Sequence, residues 1–285
     1  MIDRREFWRG VLQSVAIGLA LASSPLARPA ACDETNVVFI IGDDISVDDF
    51  GCYGHPRIQT PNVDKLAASG MRFTNAYLTT SQCSPTRCSI ITGRYPHNTG
   101  APELHTALPE GQVMFPAILK QAGYHTAAAG KWHLGNYAKR AFDKVVGGSS
   151  GGEERWIECL RERPKDRPFF MWFASYDAHR GWSQDKGAKP HTPDDAVVPP
   201  YSIDTPEVRA DMAKYYDEIQ RLDRYVGLIV KELKAQEILD NTCIIFMADN
   251  GRPFPRCKTR LYDSGIKTQS FEAVSECTSI RVDSE

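Results

Sequence analysis

Cys83-Ser84-Pro85-Thr86-Arg87, followed by Thr92-Gly93-Arg94, sets a cysteine just ahead of a proline that can open a helix. Arginines follow one and three turns further on. A helix N-terminus presents free N–H groups and a positive partial charge, which suit an oxyanion. Arg87 adds a fixed cationic fork. The spacing reads as a nucleophile beside an anion pocket. The competing reading is a turn into an ordinary helix with a buried cysteine.

Four other segments carry chemistry. Asp43-Asp44 and Asp249-Asn250 offer only hard oxygen ligands, a set that suits calcium or magnesium and disfavours zinc or copper. The competing reading for such acidic pairs is a helix cap. Gly130-Lys131-Trp132-His133-Leu134-Gly135 and Asp177-Ala178-His179-Arg180 bring cations and imidazoles. Singly, His133 and His179 read as structural or surface residues; beside Lys131 and Asp177 they read as functional.

The elements that must position these residues are legible as hydrophobic runs. Asn36 to Ile41 is a continuous apolar stretch, as in a strand buried on both faces. Strands are also expected at Met71–Phe73, His125–Ala129, Pro168–Ala174 and Thr242–Met247. Helices are expected from Thr60-Pro61 to Ser69, Pro85 to Thr92, Met114 to Ala122 and Pro206 to Gln236. In the last of these, Met212, Tyr215, Tyr216, Ile219, Leu222, Val226, Ile229 and Leu233 recur every three or four residues. Strands alternating with helices predict an α/β fold, a doubly wound, mostly parallel sheet with helices on both faces. In such sheets ligands bind beyond the carboxyl ends of the strands. Asp43-Asp44, Lys131-His133, Asp177-His179 and Asp249-Asn250 each fall there. Gly147 to Gly152 reads as a flexible loop, lacking the lysine and strand–helix context of a phosphate cradle. Gly181 to Pro206, polar and proline-rich, reads as a long surface excursion near the site.

These five segments, in this order and with Lys258 after the last, resemble the signature of the type I sulfatases. The likeness runs from about Asn36 to about Lys267. Thr86 stands where that family usually has Ser. The resemblance implies an alkaline phosphatase-like fold and a Cys83 oxidised to formylglycine by a formylglycine-generating enzyme. It implies one calcium ion held by Asp43, Asp44, Asp249 and Asn250, with residue 83 as a further ligand. The implied activity is hydrolysis of sulfate esters or sulfamates on a sulfated carbohydrate. In that scheme a hydroxyl of the hydrated aldehyde attacks sulfur with help from Asp249, and the second hydroxyl expels sulfate with His133 as base. Arg87, Lys131, His179 and Lys258 neutralise the sulfuryl oxygens, and His179 or Lys258 protonates the leaving group. An unmodified thiol has no second hydroxyl with which to release sulfate. The stretch from Tyr201 to Gln236, and Asp249 to Pro255, resemble the sulfamidase branch, as does Asp177-Ala178-His179-Arg180 with Ala in place of its Pro. Asp177 and Arg180 are the expected substrate-binding pair, with an N-sulfated glucosamine unit as one candidate. The alternatives are a phosphodiester or phosphonate hydrolase of the same superfamily, and an inactive remnant that only binds calcium or anions.

Composition fits a globular protein: 285 residues, 42% hydrophobic and 25% charged. A net charge of −2 without a basic stripe argues against nucleic-acid binding. Arg4-Arg5-Glu6-Phe7 ahead of the uncharged stretch Gly10 to Ala27 resembles a twin-arginine export signal over residues 1–31, with cleavage near Ala27 to Ala31. A periplasmic or extracellular location without stable membrane insertion is the expectation. The competing reading, a membrane anchor, is weakened by Ser23, Ser24 and Pro25. Residues 32–285 are then the catalytic domain. Beside Cys83 the chain has seven cysteines, too irregular for a disulfide framework. The resemblance implies a chain that continues past its last motif with another core strand and a smaller C-terminal domain. Thr268 to Glu285 is polar and without a clear apolar period, so against that family the domain is expected to be truncated at its C-terminus.

Overall fold

A computed structural model describes residues 34–147, 153–183, 185 and 189–273. The expected export signal, residues 148–152 of the glycine-rich stretch and residues 274–285 lie outside them. In chain order the elements are β1 (Asn36–Gly42), α1 (Pro61–Ala68), β2 (Met71–Tyr77), α2 (Cys83–Thr92), α3 (Pro96–Thr99), α4 (Phe115–Gln121), β3 (His125–Gly130) and β4 (Lys144–Gly147). There follow α5 (Glu154–Glu162), β5 (Phe169–Ala174), α6 (Pro206–Ala235), β6 (Thr242–Ala248), α7 (Asp263–Ile266) and β7 (Lys267–Ala273).

The strands form one sheet in the order β2-β7-β6-β1-β5-β3-β4. From β6 to β4 every pairing is parallel. β7 runs antiparallel to both β6 and β2. β1 is central: Val38 pairs with Met171 on one side and Ile244 on the other. Successive side chains of a strand point to opposite faces, so a strand covered twice must be apolar throughout. Accordingly Val38 and Ile40 join one core with Phe173, Trp156, Leu222 and Phe246. Phe39 and Ile41 join the other with Trp172, Ile91 and Leu134.

Helix α6 follows its sequence pattern. The Thr205 hydroxyl accepts from the Val208 N–H at 3.3 Å, and Pro206 occupies the first turn. Ile219, Leu222, Val226 and Ile229 are fully buried, each contributing about 1.5–3 kcal/mol relative to exposure.

Besides the single-turn helices α3 and α7, three elements escaped the sequence reading. In β4 only four residues pair, at the sheet edge. In α5, Trp156, Cys159 and Leu160 form the buried stripe of an otherwise charged helix. The third is a correction: Thr268 to Ala273, read as the start of a polar tail, belong to β7 (Lys267–Ala273), a core strand inserted between β2 and β6. Its inward set is Gln269, Phe271 and Ala273, and Phe271 stacks on Phe246 at 5.0 Å. Ser270 and Glu272, only half-buried, point the other way. One aromatic in seven residues is too faint a period to find in sequence. No helix among the described residues is long and apolar enough to cross a membrane, and none of their cysteines is in a disulfide.

Candidate active and metal site

The site is built at the carboxyl ends of β1, β3, β5 and β6. Asp43 and Asp44 follow β1, Lys131 follows β3, Asp177 lies three residues past β5, and Asp249 follows β6. Backbone bonds bind these exits together: Asp43 N donates to Asp177 O at 2.8 Å, Lys131 N to Ala174 O at 2.9 Å, and Asp249 N to Gly42 O at 3.1 Å. At Gly130 (φ +97°) a Cβ would stand 1.9 Å from Ala174 O, so only glycine lets β3 deliver Lys131 here. Asp44 and His133 hold φ of +56° and +50°, a left-handed conformation that is strained for residues with a Cβ.

Helix α2 starts at Cys83 itself, so the cysteine lies in its first turn with Pro85 and Thr86. Gly93 ends the helix in the left-handed conformation, its N–H donating to Ser89 O at 2.8 Å. The Thr86 hydroxyl donates to Thr80 O at 3.1 Å, which accommodates Thr at the position usually held by Ser.

Asp43, Cys83 and Asp249 are buried, and one ligand atom from each lies within 4.8 Å of the others. Burial first, then Asp44, pushes the Asp43 carboxyl above the usual range, against Lys131 and Arg87. Asp249 is likewise raised by burial and Asp43, and opposed by Arg87 and Lys131. Asp44 takes the Lys258 ammonium at 2.7 Å and the Asn250 amide at 2.7 Å. Lys258 is held above the ordinary lysine range: burial opposes its charge, but Asp44 outweighs it. Lys131 pairs with Asp43 Oδ2 and is raised in the same way.

One expectation changes. Arg87 does not face the open site. It is fully buried, with Nε and Nη2 each 2.8 Å from Asp249 Oδ2 and Nη1 donating to Lys131 O at 2.9 Å. It orients one carboxylate and one loop instead of a bound anion. Nor does the helix N-terminus activate the Cys83 thiol. Burial, with Asp249 and Asp43 close by, pushes it up to about 12, so it stays protonated at neutral pH.

His133 is brought to the same cluster. Burial, then Lys131, Arg87 and His105, lower it to about 3, so it is neutral and, without a bound anion beside those cations, a weak base. Its Nδ1 is buried with no hydrogen-bond partner. His179 is more open, with Nε2 3.9 Å from Asp44 Oδ2 and Nδ1 2.9 Å from Arg180 O.

The expected substrate pair divides. Asp177 is buried, and both its oxygens are taken by Arg221, whose Nε lies 2.8 Å from Oδ2. In this arrangement it positions the loop that carries His179. Arg180 is half-exposed. It donates to Pro253 O at 2.9 Å and to Asp211 at 2.6 Å, and lies over the rings of Phe254 and Trp182. It remains at the surface of the site.

Sequence reasoning missed His105, whose ring meets that of His133 edge-on at 5.2 Å and whose backbone N–H donates to Ser84 Oγ at 2.7 Å. It also missed Glu153, which accepts from the Ser175 hydroxyl and from Tyr176 N at 3.0 Å. Neither has a local signal, since both matter only through partners distant in sequence.

The donor set fits a hard cation. Asp43 Oδ1 and Asn250 Oδ1 are buried with no hydrogen-bond partner, an arrangement costly unless something positive meets them. Every candidate ligand atom is oxygen except at residue 83, where formylglycine would supply oxygen too.

Residues 35–159 and 153–272 match the family model described as Sulfatase. Human N-sulphoglucosamine sulphohydrolase is 32% identical over 267 residues, covering 81% of this chain and 53% of that protein. Human arylsulfatase A is 29% identical over 307 residues, covering 85% of this chain and 55% of that protein. Among solved structures, Ps i-CgsB in complex with k-i-k-neocarrahexaose has a TM-score of 0.71 at 23% identity, covering 86% of this chain and 66% of that one. The phosphonate monoester hydrolase of Agrobacterium radiobacter also gives 0.71, at 19% identity, covering 84% of this chain and 68% of that one. At such identity the likeness is one of fold. The chain spans about half the length of the curated relatives it matches.

Proposed function

The chain belongs to the sulfatase family, and we propose that it hydrolyses sulfate esters or sulfamates on a sulfated carbohydrate, using calcium and a formylglycine made from Cys83. The observation that carries this reading is the buried convergence of Asp43, Cys83 and Asp249, with unpartnered oxygens on Asp43 and Asn250.

Asp43, Asp44, Asp249, Asn250 and residue 83 would hold the calcium, which when bound acts as a Lewis acid toward a sulfate oxygen. Conversion of Cys83 by a formylglycine-generating enzyme replaces an inert, protonated thiol with an aldehyde. Around that position Lys131 and Lys258 supply fixed positive charge for the sulfuryl oxygens. Arg87 holds Asp249 in place. His133 is the proposed base as sulfate is expelled, a role in which the negative charge of the bound sulfate offsets Lys131 and Arg87, the cations that lower it in the free site. His179, 3.9 Å from Asp44 Oδ2 and the more open of the two, is the proposed donor to the leaving oxygen or nitrogen, since Asp44 holds the Lys258 proton tightly.

Among substrates we favour an N-sulfated glucosamine unit, since the human relative is named for sulfoglucosamine. Export through a twin-arginine signal agrees with a polymeric substrate outside the cell. A second reading, phosphonate or phosphate ester hydrolysis, is favoured only by the fold shared with the phosphonate monoester hydrolase. Comparing release of sulfate and phosphate from matched aryl esters decides between them. Sulfate turnover that requires calcium and is abolished by Cys83→Ala supports the proposal. Faster phosphate turnover contradicts it.

A further inference from the structure

The carboxylates of the metal site come from two loops, one after β1 and one after β6, and their like charges push those loops apart. What ties the loops together outside the site is a buried arginine. Arg252 is 3% exposed. Its Nη2 lies 2.9 Å from Asp49 Oδ1 and also pairs with Asp48. Its backbone N–H donates to Ser46 Oγ at 3.0 Å, and Ile45 N donates to Asn250 O at 2.9 Å.

Asp49 is itself a fixed node. Its Oδ2 accepts from Ser46 N at 3.0 Å and from the Tyr215 hydroxyl of α6 at 2.7 Å. That hydroxyl also lies 3.2 Å from the backbone oxygen of Asp44. On the far loop, Lys258 N donates to Arg252 O at 3.1 Å, so the same arginine sets where the lysine that meets Asp44 begins. Neither Arg252 nor Asp49 offers an atom to the metal cluster itself.

We infer that the Arg252–Asp49 ion pair is a clamp that sets the spacing of the Asp43-Asp44 and Asp249-Asn250 loops and thereby the affinity for calcium. Arg252 is a positioning residue in this role. The inference rests on the calcium site proposed above. Partners one shell outside a metal typically alter affinity 10- to 100-fold when removed.

The test is calcium titration calorimetry on the full chain, comparing wild type with Arg252→Met, Arg252→Lys, Asp49→Asn and the Arg252→Met/Asp49→Asn double variant. Thermal melts without calcium establish which variants are folded. The clamp predicts about 10- to 100-fold weaker calcium binding in Arg252→Met and Asp49→Asn, partial recovery in Arg252→Lys, and no further loss in the double variant. Wild-type affinity in folded Arg252→Met overturns the clamp and leaves the metal assignment standing. Absence of calcium binding in wild type overturns both. If Arg252→Met does not fold, Asp49→Asn, equal in shape and uncharged, decides by the same criterion.

Discussion

Asn250 donates its side-chain amide to Asp44 Oδ1 at 2.7 Å and to Gly251 O at 2.9 Å, leaving its own carbonyl oxygen buried without a partner. This is a site organised around an oxygen set that the protein alone does not satisfy. Asn250→Asp removes the donor to Asp44 and adds a fourth carboxylate. It should destabilise the calcium-free protein by about 1–3 kcal/mol, and saturating calcium should recover most of the loss. Melting temperatures with calcium and with chelator measure both.

Arg87 and Asp249 form a fully buried pair. Arg87→Met leaves that carboxylate without its cation, which should cost about 3–5 kcal/mol of stability. Arg87→Lys keeps a charge but cannot reach Asp249 and the Lys131 carbonyl together. Denaturant unfolding should place Lys between wild type and Met.

The Cys83 thiol, pushed up to about 12, should resist alkylation. Unconverted protein treated with iodoacetamide at pH 8 should be modified at Cys83 far more slowly than a peptide of the same local sequence. Peptide mass spectrometry reads the rates. Alkylation at the peptide rate would show an exposed thiolate.

Glu153 is raised from 4.5 to about 7, chiefly by burial and then by Asp177. A carboxyl raised in the folded state binds more protons there than when unfolded, so its contribution is whole below pH 4.5 and is lost as pH rises through about 7. Glu153→Gln keeps the acceptor for Ser175 and Tyr176 N and cannot ionise. Relative to wild type it should gain on the order of 2 kcal/mol between pH 5 and pH 8. Unfolding curves at the two pH values check this. An equal difference at both would remove Glu153 from the pH response.

Much of the site was legible because its residues stand at the ends of strands that are apolar without interruption. β1, β5 and β6 are such runs, and the first polar residues after each must lie at the carboxyl edge of the sheet. The roles of individual charges were less legible. Arg87 sits one turn beyond Cys83, so local spacing suggested that it serves the anion, yet its partner Asp249 is 162 residues away. Asp177 meets Arg221 across 44 residues, in a helix whose period reports only its apolar face. The strand β7 was hidden for a similar reason. Its pairing with β2 and β6 is decided by edges far apart in sequence, not by its own sparse apolar residues.

The central claim is that residue 83, converted to formylglycine, works on sulfate above a calcium ion held by Asp43, Asp44, Asp249 and Asn250. The most direct measurement uses protein co-produced with a formylglycine-generating enzyme, with conversion established by the loss of mass at residue 83. Sulfate release from an aryl sulfate is then measured for wild type, Cys83→Ala and Asp249→Ala, with calcium and with chelator. The account predicts calcium-dependent release by wild type that falls by several orders of magnitude in both variants (on the order of the losses in concerted catalytic groups). Sulfate release that persists in Cys83→Ala, or that is indifferent to calcium, contradicts it.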